Sequence, residues 1–179
     1  DIPAREVDLT VDGRPVIGVE AGSLAPMPLR PAGTVAITGP AQSGRTNTVR
    51  WLARSVHRAF PNAVMLHASA RRSLVTREPL WTETAQGADK IASMLMKHAH
   101  LFEEEAPDNT PGVVLFVEGI GEFSFSACDQ QLQDAIASSK ANGHLVVAEA
   151  DVSGWSFGGS LASGVRSGRT GIVLCPSPG

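Results

Sequence analysis

Six short runs of apolar, β-favouring residues punctuate the chain: VIGV (16–19), TVAIT (34–38), AVMLHA (63–68), VVLFVE (113–118), HLVVAE (144–149) and GIVLC (171–175). Several are continuously apolar rather than alternating, the pattern of strands covered on both faces. Between them the period changes. In TNTVRWLARSVHRAF (46–60) the residues Val49, Leu52, Ala53, Val56 and Phe60 recur at spacings of three and four. That spacing predicts a helix with one apolar face, and Arg50, Arg54 and Arg58 lie outside it. ADKIASMLMKHAHLFEEE (88–105) repeats the pattern through Ile91, Leu95, His98 or Ala99, and Phe102. CDQQLQDAIASSKANG (128–143) predicts a third helix, with Gly143 as its stop. Strands alternating with helices predict an α/β fold, a mostly parallel sheet flanked by helices on both faces. The Pro- and Gly-containing stretches 22–33 and 106–112 read as connections. The first thirty residues carry a weaker strand pattern, that of an edge hairpin or a lead-in from a preceding domain.

Composition narrows this picture without redirecting it. The 179 residues suffice for one well-buried domain, 1–179, and are too few for two. Apolar residues make up 42% and charged ones 18%, which suits a folded protein and argues against disorder. A net charge of −3 with no long basic run argues against a dominant nucleic-acid surface. Cys128 and Cys175 form neither a disulfide framework nor a metal set and read as packed thiols. No uninterrupted apolar stretch reaches the roughly 20 residues of a membrane span. With no initiator Met, no signal peptide and an abrupt CPSPG end, the chain reads as a piece of a longer multidomain polypeptide.

The chemistry concentrates in GPAQSGRT (39–46), between the strand-like TVAIT and an amphipathic helix. That context is what a phosphate-binding loop requires. Its glycines let successive N–H groups turn inward, and the helix N-terminus adds partial positive charge. Gly39, Pro40, Ala41, Gln42, Ser43, Gly44, Arg45, Thr46 and Asn47 are therefore the candidate nucleotide-binding residues. Thr46 offers a hydroxyl to Mg²⁺. Arg45 stands where such loops carry lysine. Arginine is longer, planar and forked, and it grips phosphate bidentately rather than as a point charge.

In P-loop ATPases the apolar strand neighbouring the loop strand ends in an Asp that holds the Mg²⁺ water shell, and in multimeric motors a Glu follows to polarise water. In VVLFVEGIGEF, Glu118 takes the first place, as the metal-side acid, and Gly119 the second. Glu122, three residues on, is the remaining acidic candidate, and Glu118 and Glu122 are only weak candidates for catalysis. After the next strand, Glu149 occupies the place of a polar γ-phosphate sensor, and an anion facing a phosphate is unfavourable.

These pieces, in this order, resemble FtsK/SpoIIIE-like ATPase domains, most nearly the tandem ATPase domains of EccC-type proteins in type VII (ESX) secretion. The resemblance runs over nearly the whole chain and is most specific in the ending RSGRTGIVLCPSPG (166–179). It implies a RecA-like fold, ATP with Mg²⁺ as the loop's ligands, and a cytoplasmic place in a membrane-tethered secretion motor. It also implies that degenerate members of the tandem recognise secreted substrates or restrain a neighbouring ATPase domain. The departures at Arg45, Gly119 and Glu149 point to a degenerate domain that binds partners and regulates, with weak or no hydrolysis. Two alternatives stand beside it: an active NTPase using Arg45 and Glu122, and a DNA translocase, which the net charge disfavours. Arg166 and Arg169 are candidate arginine fingers toward a neighbouring subunit.

The other candidates carry less. His98 and His100 point apart on a helix, and His57, His67 and His144 are scattered, so no metal site is expected. Ser124, Ser126 and Ser160 lack a nucleophile-elbow motif. Glu103 to Glu105 read as a solvated helix end. Trp81, Trp155 and Phe157 lie in polar loop contexts and read as packed beneath loops, with a partner pocket as the other reading. Without Tyr, and with 5% aromatic residues, base-stacking platforms for single strands are not expected.

Overall fold

The computed structural model describes residues 7–174; Cys175 and the CPSPG end lie outside the described residues. The chain opens with β1 (Thr10–Val11), β2 (Arg14–Val19) and β3 (Pro26–Pro28), a small antiparallel meander in the order β1-β2-β3. A second sheet of six strands follows, entirely parallel, in the order β6-β5-β7-β8-β4-β9. Its members are β4 (Gly33–Thr38), β5 (Val64–Ser69), β6 (Glu83–Gln86), β7 (Val113–Glu118), β8 (Leu145–Ala150) and β9 (Thr170–Val173). The helices are α1 (Arg45–Ala59), α2 (Ala88–Glu103), α3 (Asp129–Asn142), α4 (Val152–Phe157) and α5 (Gly159–Arg166).

The six apolar runs are thus strands, and the three periodic segments are helices. α3 ends at Gly143, whose φ of 81° is the left-handed cap glycine adopts without a side-chain clash. Four elements escape the sequence pattern: β3 (Pro26–Pro28) lies inside the stretch 22–33 read as a connection, where it pairs with β2, and three more follow. β6 is a four-residue, largely polar edge strand, and α4 and α5 are short helices rich in glycine and serine. Trp155 and Phe157 therefore sit on a helix rather than in a loop.

Successive strand residues face opposite ways, so the sheet has two apolar surfaces. Leu66, Leu115, Val117, Val146 and Ala148 face α2, α3 and α5 in one core layer. Val35, Ile37, Met65, Phe116 and Val147 face α1 in the other. The meander closes the α1 side. Ser55 on α1 is fully buried, accepts from the Val16 N–H at 2.7 Å and donates to the Leu9 carbonyl at 2.5 Å. Trp51 adds a bond to the Val16 carbonyl at 2.9 Å. The lead-in segment is therefore stitched to α1 by hydrogen bonds that α1's own backbone does not need.

The topology corrects one expectation. β7, which ends in Glu118, does not neighbour the loop strand β4; β8 lies between them, paired with both. Adjacency of parallel strands is set by where their crossover helices pack, which local pattern does not encode. The consequence is that Glu149 on β8, rather than Glu118, stands closest in the sheet to the loop strand.

Candidate functional site

All six parallel strands end on the same side, and the loop leaving β4 lies there, as expected for open α/β sheets. The loop is wound tightly. Gly39 is buried against Leu174, and a Cβ at this position would sit 2.8 Å from the Leu174 carbonyl. Gln42 and Gly44 have positive φ, 64° and 95°. The turn at Gly44 starts α1, whose first turn has no capping side chain and no acidic residue. The leading N–H groups of a 15-residue helix are thereby left for an external acceptor.

An open cleft of about 850 Å³ lies over these strand ends. Of the loop candidates, Gln42, Gly44, Arg45, Thr46 and Asn47 line it, and so do Glu118 and Glu122. Pro40 and Ala41 are exposed outside it, while Gly39 and Ser43 form the loop's own packing. The cleft is completed by Ala70 to Leu74 from the segment after β5, and by Glu149, Asp151 and Phe157.

The polar groups are largely paired with one another. Arg45 Nη1 donates to Glu149 Oε1. Glu149 Oε2 accepts from the Gly119 N–H at 3.2 Å, and that same N–H reaches the Glu149 carbonyl at 2.9 Å. Glu149 is only 8% exposed. Burial pushes its carboxyl above the usual carboxylate range; Arg45 and the Gly119 N–H pull it down, and Glu118 on the adjoining strand pushes it further up. Glu118 Oε1 is hydrogen-bonded at 2.7 Å to Nε2 of His67, a fully buried residue of β5. His67 in turn stacks on Trp81, with ring centroids 4.9 Å apart. Glu122 Oε2 accepts from Arg71 Nε at 3.1 Å. Asp151 caps α4, accepting from the Gly154 N–H at 2.7 Å, a bond that holds its carboxyl below the usual range.

The outer wall is fixed by a further charge cluster. Glu78, 8% exposed, receives Arg50 Nε and Arg54 Nε at 2.8 Å each. Two arginines on the polar face of α1 thus hold the segment that carries Arg71 to Leu74. On the opposite wall Gly121 abuts α4 so closely that a Cβ there would meet the Gly154 carbonyl at 2.6 Å.

The loop half of the site fits a nucleotide phosphate and its Mg²⁺ through open helix N–H groups and the exposed Thr46, while Arg45 is held by Glu149. The acidic half of the site is paired within the protein. Gly119 carries no base, and Glu118, Glu122 and Glu149 are each engaged by a side chain of the protein.

The sequence reading missed His67, Glu78 and the role of Arg50 and Arg54. A histidine inside the otherwise apolar run AVMLHA was the available signal for the first. Arg166 and Arg169 are exposed and precede β9, at the end of the sheet where the strands begin; Gly168 between them packs against Thr34 at the start of β4. They cannot reach this chain's own cleft. Trp155 is buried, donating to the Ile37 carbonyl at 3.0 Å, whereas Phe157 is 83% exposed and does not pack beneath a loop. Among the described residues no group of His, Cys, Asp and Glu is arranged to hold a metal by itself. Nor is any helix long and apolar enough to cross a membrane.

The same fold is found in solved structures of ATPase domains. The structure superposes on the cytoplasmic domain of the Thermomonospora curvata type VII secretion ATPase EccC with a TM-score of 0.75 and 18% identity, covering 98% of this chain and 23% of that one. It matches EssC ATPases 2 and 3 from Geobacillus thermodenitrificans with a TM-score of 0.72 and 16% identity, over 93% of this chain and 34% of that one. A third structure, described simply as an ATPase, gives 0.74 and 18%, over 95% and 76%. The chain therefore shares the α/β fold of type VII secretion ATPase domains and spans about a quarter of the EccC structure. No protein-family model matches it, and no curated protein does.

Proposed function

We propose that this chain is a degenerate ATPase domain of a type VII secretion motor, a nucleotide-loop module that binds partners and regulates, with weak or no ATP hydrolysis. The observation that carries the reading is the ion pair between Arg45 and Glu149, with Gly119 where a catalytic base is needed. The loop's cation is committed to the protein's own carboxylate, and no free carboxylate is placed to activate water. Thr46 and Glu118, which line the same cleft, would hold the metal side when Mg²⁺ is brought in by nucleotide. ATP supplies the phosphates that the loop amides bind, and the chain's own residues hold and orient them.

Partner binding is supported by apolar side chains left uncovered beside the cleft. Leu74 and Phe157 line it at 58% and 83% exposure, and Phe125 is 96% exposed. Of these, Leu74 and Phe157 open onto the same cleft and offer an apolar partner a place to dock beside the loop. The partner is a secreted substrate, through its C-terminal signal helix, or a neighbouring ATPase domain of the same motor. Other parts of that motor tether it to the membrane on the cytoplasmic side.

The test is phosphate release from Mg-ATP by the purified chain. The expected result is no turnover above that of Thr46→Ala. Steady turnover that Thr46→Ala abolishes would overturn the reading and favour the active alternative. Direct binding to purified neighbouring domain or signal-helix peptide, weakened by Phe157→Ser, tests the partner role.

A further inference from the structure

Glu149 does more than replace a sensor residue. Its carboxylate is held at both oxygens, by Arg45 from the loop helix and by the Gly119 N–H from the end of β7. It stands on the strand between the loop strand and the acidic strand, opposite Ile37 on one side and Glu118 on the other. In a phosphate loop the backbone amides cradle the inner phosphates and the basic side chain reaches the outer ones. Here the position that side chain would reach already holds an anion.

We propose that Glu149 is a tethered anion in the place of the terminal phosphate, so that the loop selects nucleoside diphosphates over triphosphates. This inference rests on the loop being a nucleotide site. A diphosphate leaves the Arg45–Glu149 pair intact and still meets the loop amides, the α1 N-terminus and the Thr46 hydroxyl. A triphosphate must either set its outermost phosphate against Glu149 or displace the carboxylate from Arg45. Displacement strands a buried carboxylate beside Glu118, and an unpaired buried charge is costly. The other groups facing that position do not compensate. Glu118 is held by His67, Glu122 holds Arg71, and Asp151 is turned to the Gly154 N–H. Arg72 lines the same cleft but is exposed, so water screens its charge.

The experiment is calorimetric titration of the chain with Mg-ADP and with Mg-ATP. Wild type is expected to bind Mg-ADP about tenfold or more tighter than Mg-ATP. Glu149→Gln should bring the two within about threefold, through a gain in Mg-ATP affinity rather than a loss of Mg-ADP. Glu149→Thr carries the same expectation as the glutamine variant should that one fail to melt cooperatively. Equal affinities in wild type, a preference for Mg-ATP, or an unchanged ratio in the Glu149 variants would overturn the proposal while leaving a nucleotide site. Binding of both nucleotides only after Glu149 is replaced would also overturn it, since the carboxylate would then exclude every phosphate. Binding of neither nucleotide by any variant would overturn the nucleotide reading itself.

Discussion

Glu78→Gln tests whether the outer wall of the cleft is held electrostatically to the loop helix. In the wild type the Glu78 side chain is 7% exposed and takes bonds from Arg50 Nε at 2.8 Å, Arg54 Nε at 2.8 Å and Arg54 Nη2 at 3.0 Å. These bonds, Arg54's first, hold its carboxyl below the usual range against the opposing effect of burial. Hydrogen bonds to a charged group are worth about 1.5–3 kcal/mol. The arginine side chains are 37% and 50% exposed, so solvent screening lowers the net value. About 1–2 kcal/mol is expected for the substitution. For a domain of this size each kcal/mol moves the melting temperature by about 2–4 °C, giving a drop of roughly 2–8 °C.

The sign of the pH dependence follows from the depressed pKa. The contribution is present above the unfolded carboxylate range and disappears as pH falls through the folded value. The gap between wild type and Glu78→Gln should therefore be full at pH 7 and close below about pH 4. Thermal melts followed by circular dichroism at several pH values read both quantities. A gap under about 0.5 kcal/mol, or one that persists unchanged in acid, would show that the cluster is a surface decoration of little energetic consequence.

Other substitutions probe the remaining contacts. Gly121→Ala would drive a methyl into the Gly154 backbone at 2.6 Å, and urea denaturation should show a loss of about 1–3 kcal/mol, the range for overpacking a tight contact. Gly39→Ala should disrupt the loop by collision with Leu174, whereas Gly44→Ala meets no atom and costs only the strain of a φ of 95°, about 1–2 kcal/mol. The two glycines are thus separable by melting temperature, and equal effects would contradict the geometry. His67→Leu should cost about 1.5–3 kcal/mol, by leaving the Glu118 carboxylate without its buried partner, and the same denaturation series measures it.

The sequence pattern made the architecture legible where residues bury both faces of a strand or one face of a long helix. Val113 to Val117 and Leu145 to Ala148 are continuously apolar because helices cover them on both sides, and that was readable. β6 was not, because an edge strand of sequence ETAQ buries little and is held by its backbone pairing with β5. Nor were α4 and α5. Their glycines are poor helix formers, and α4 is held by the close approach of Gly154 and Gly158 to Gly121, a long-range contact.

The site divides along the same line. The loop from Gly39 to Asn47 and the succession Glu118, Gly119 at the end of β7 were set by the order of residues along one short segment each. Such motifs act through local backbone geometry, which neighbours in sequence determine. What Arg45 touches was not so determined. Only the insertion of β8 between β4 and β7 brings Glu149 to Arg45 and to the Gly119 N–H, 104 and 30 residues away in sequence. Strand adjacency results from the packing of all the crossover helices at once, so the partner of the loop's cation was a decision of the tertiary structure alone.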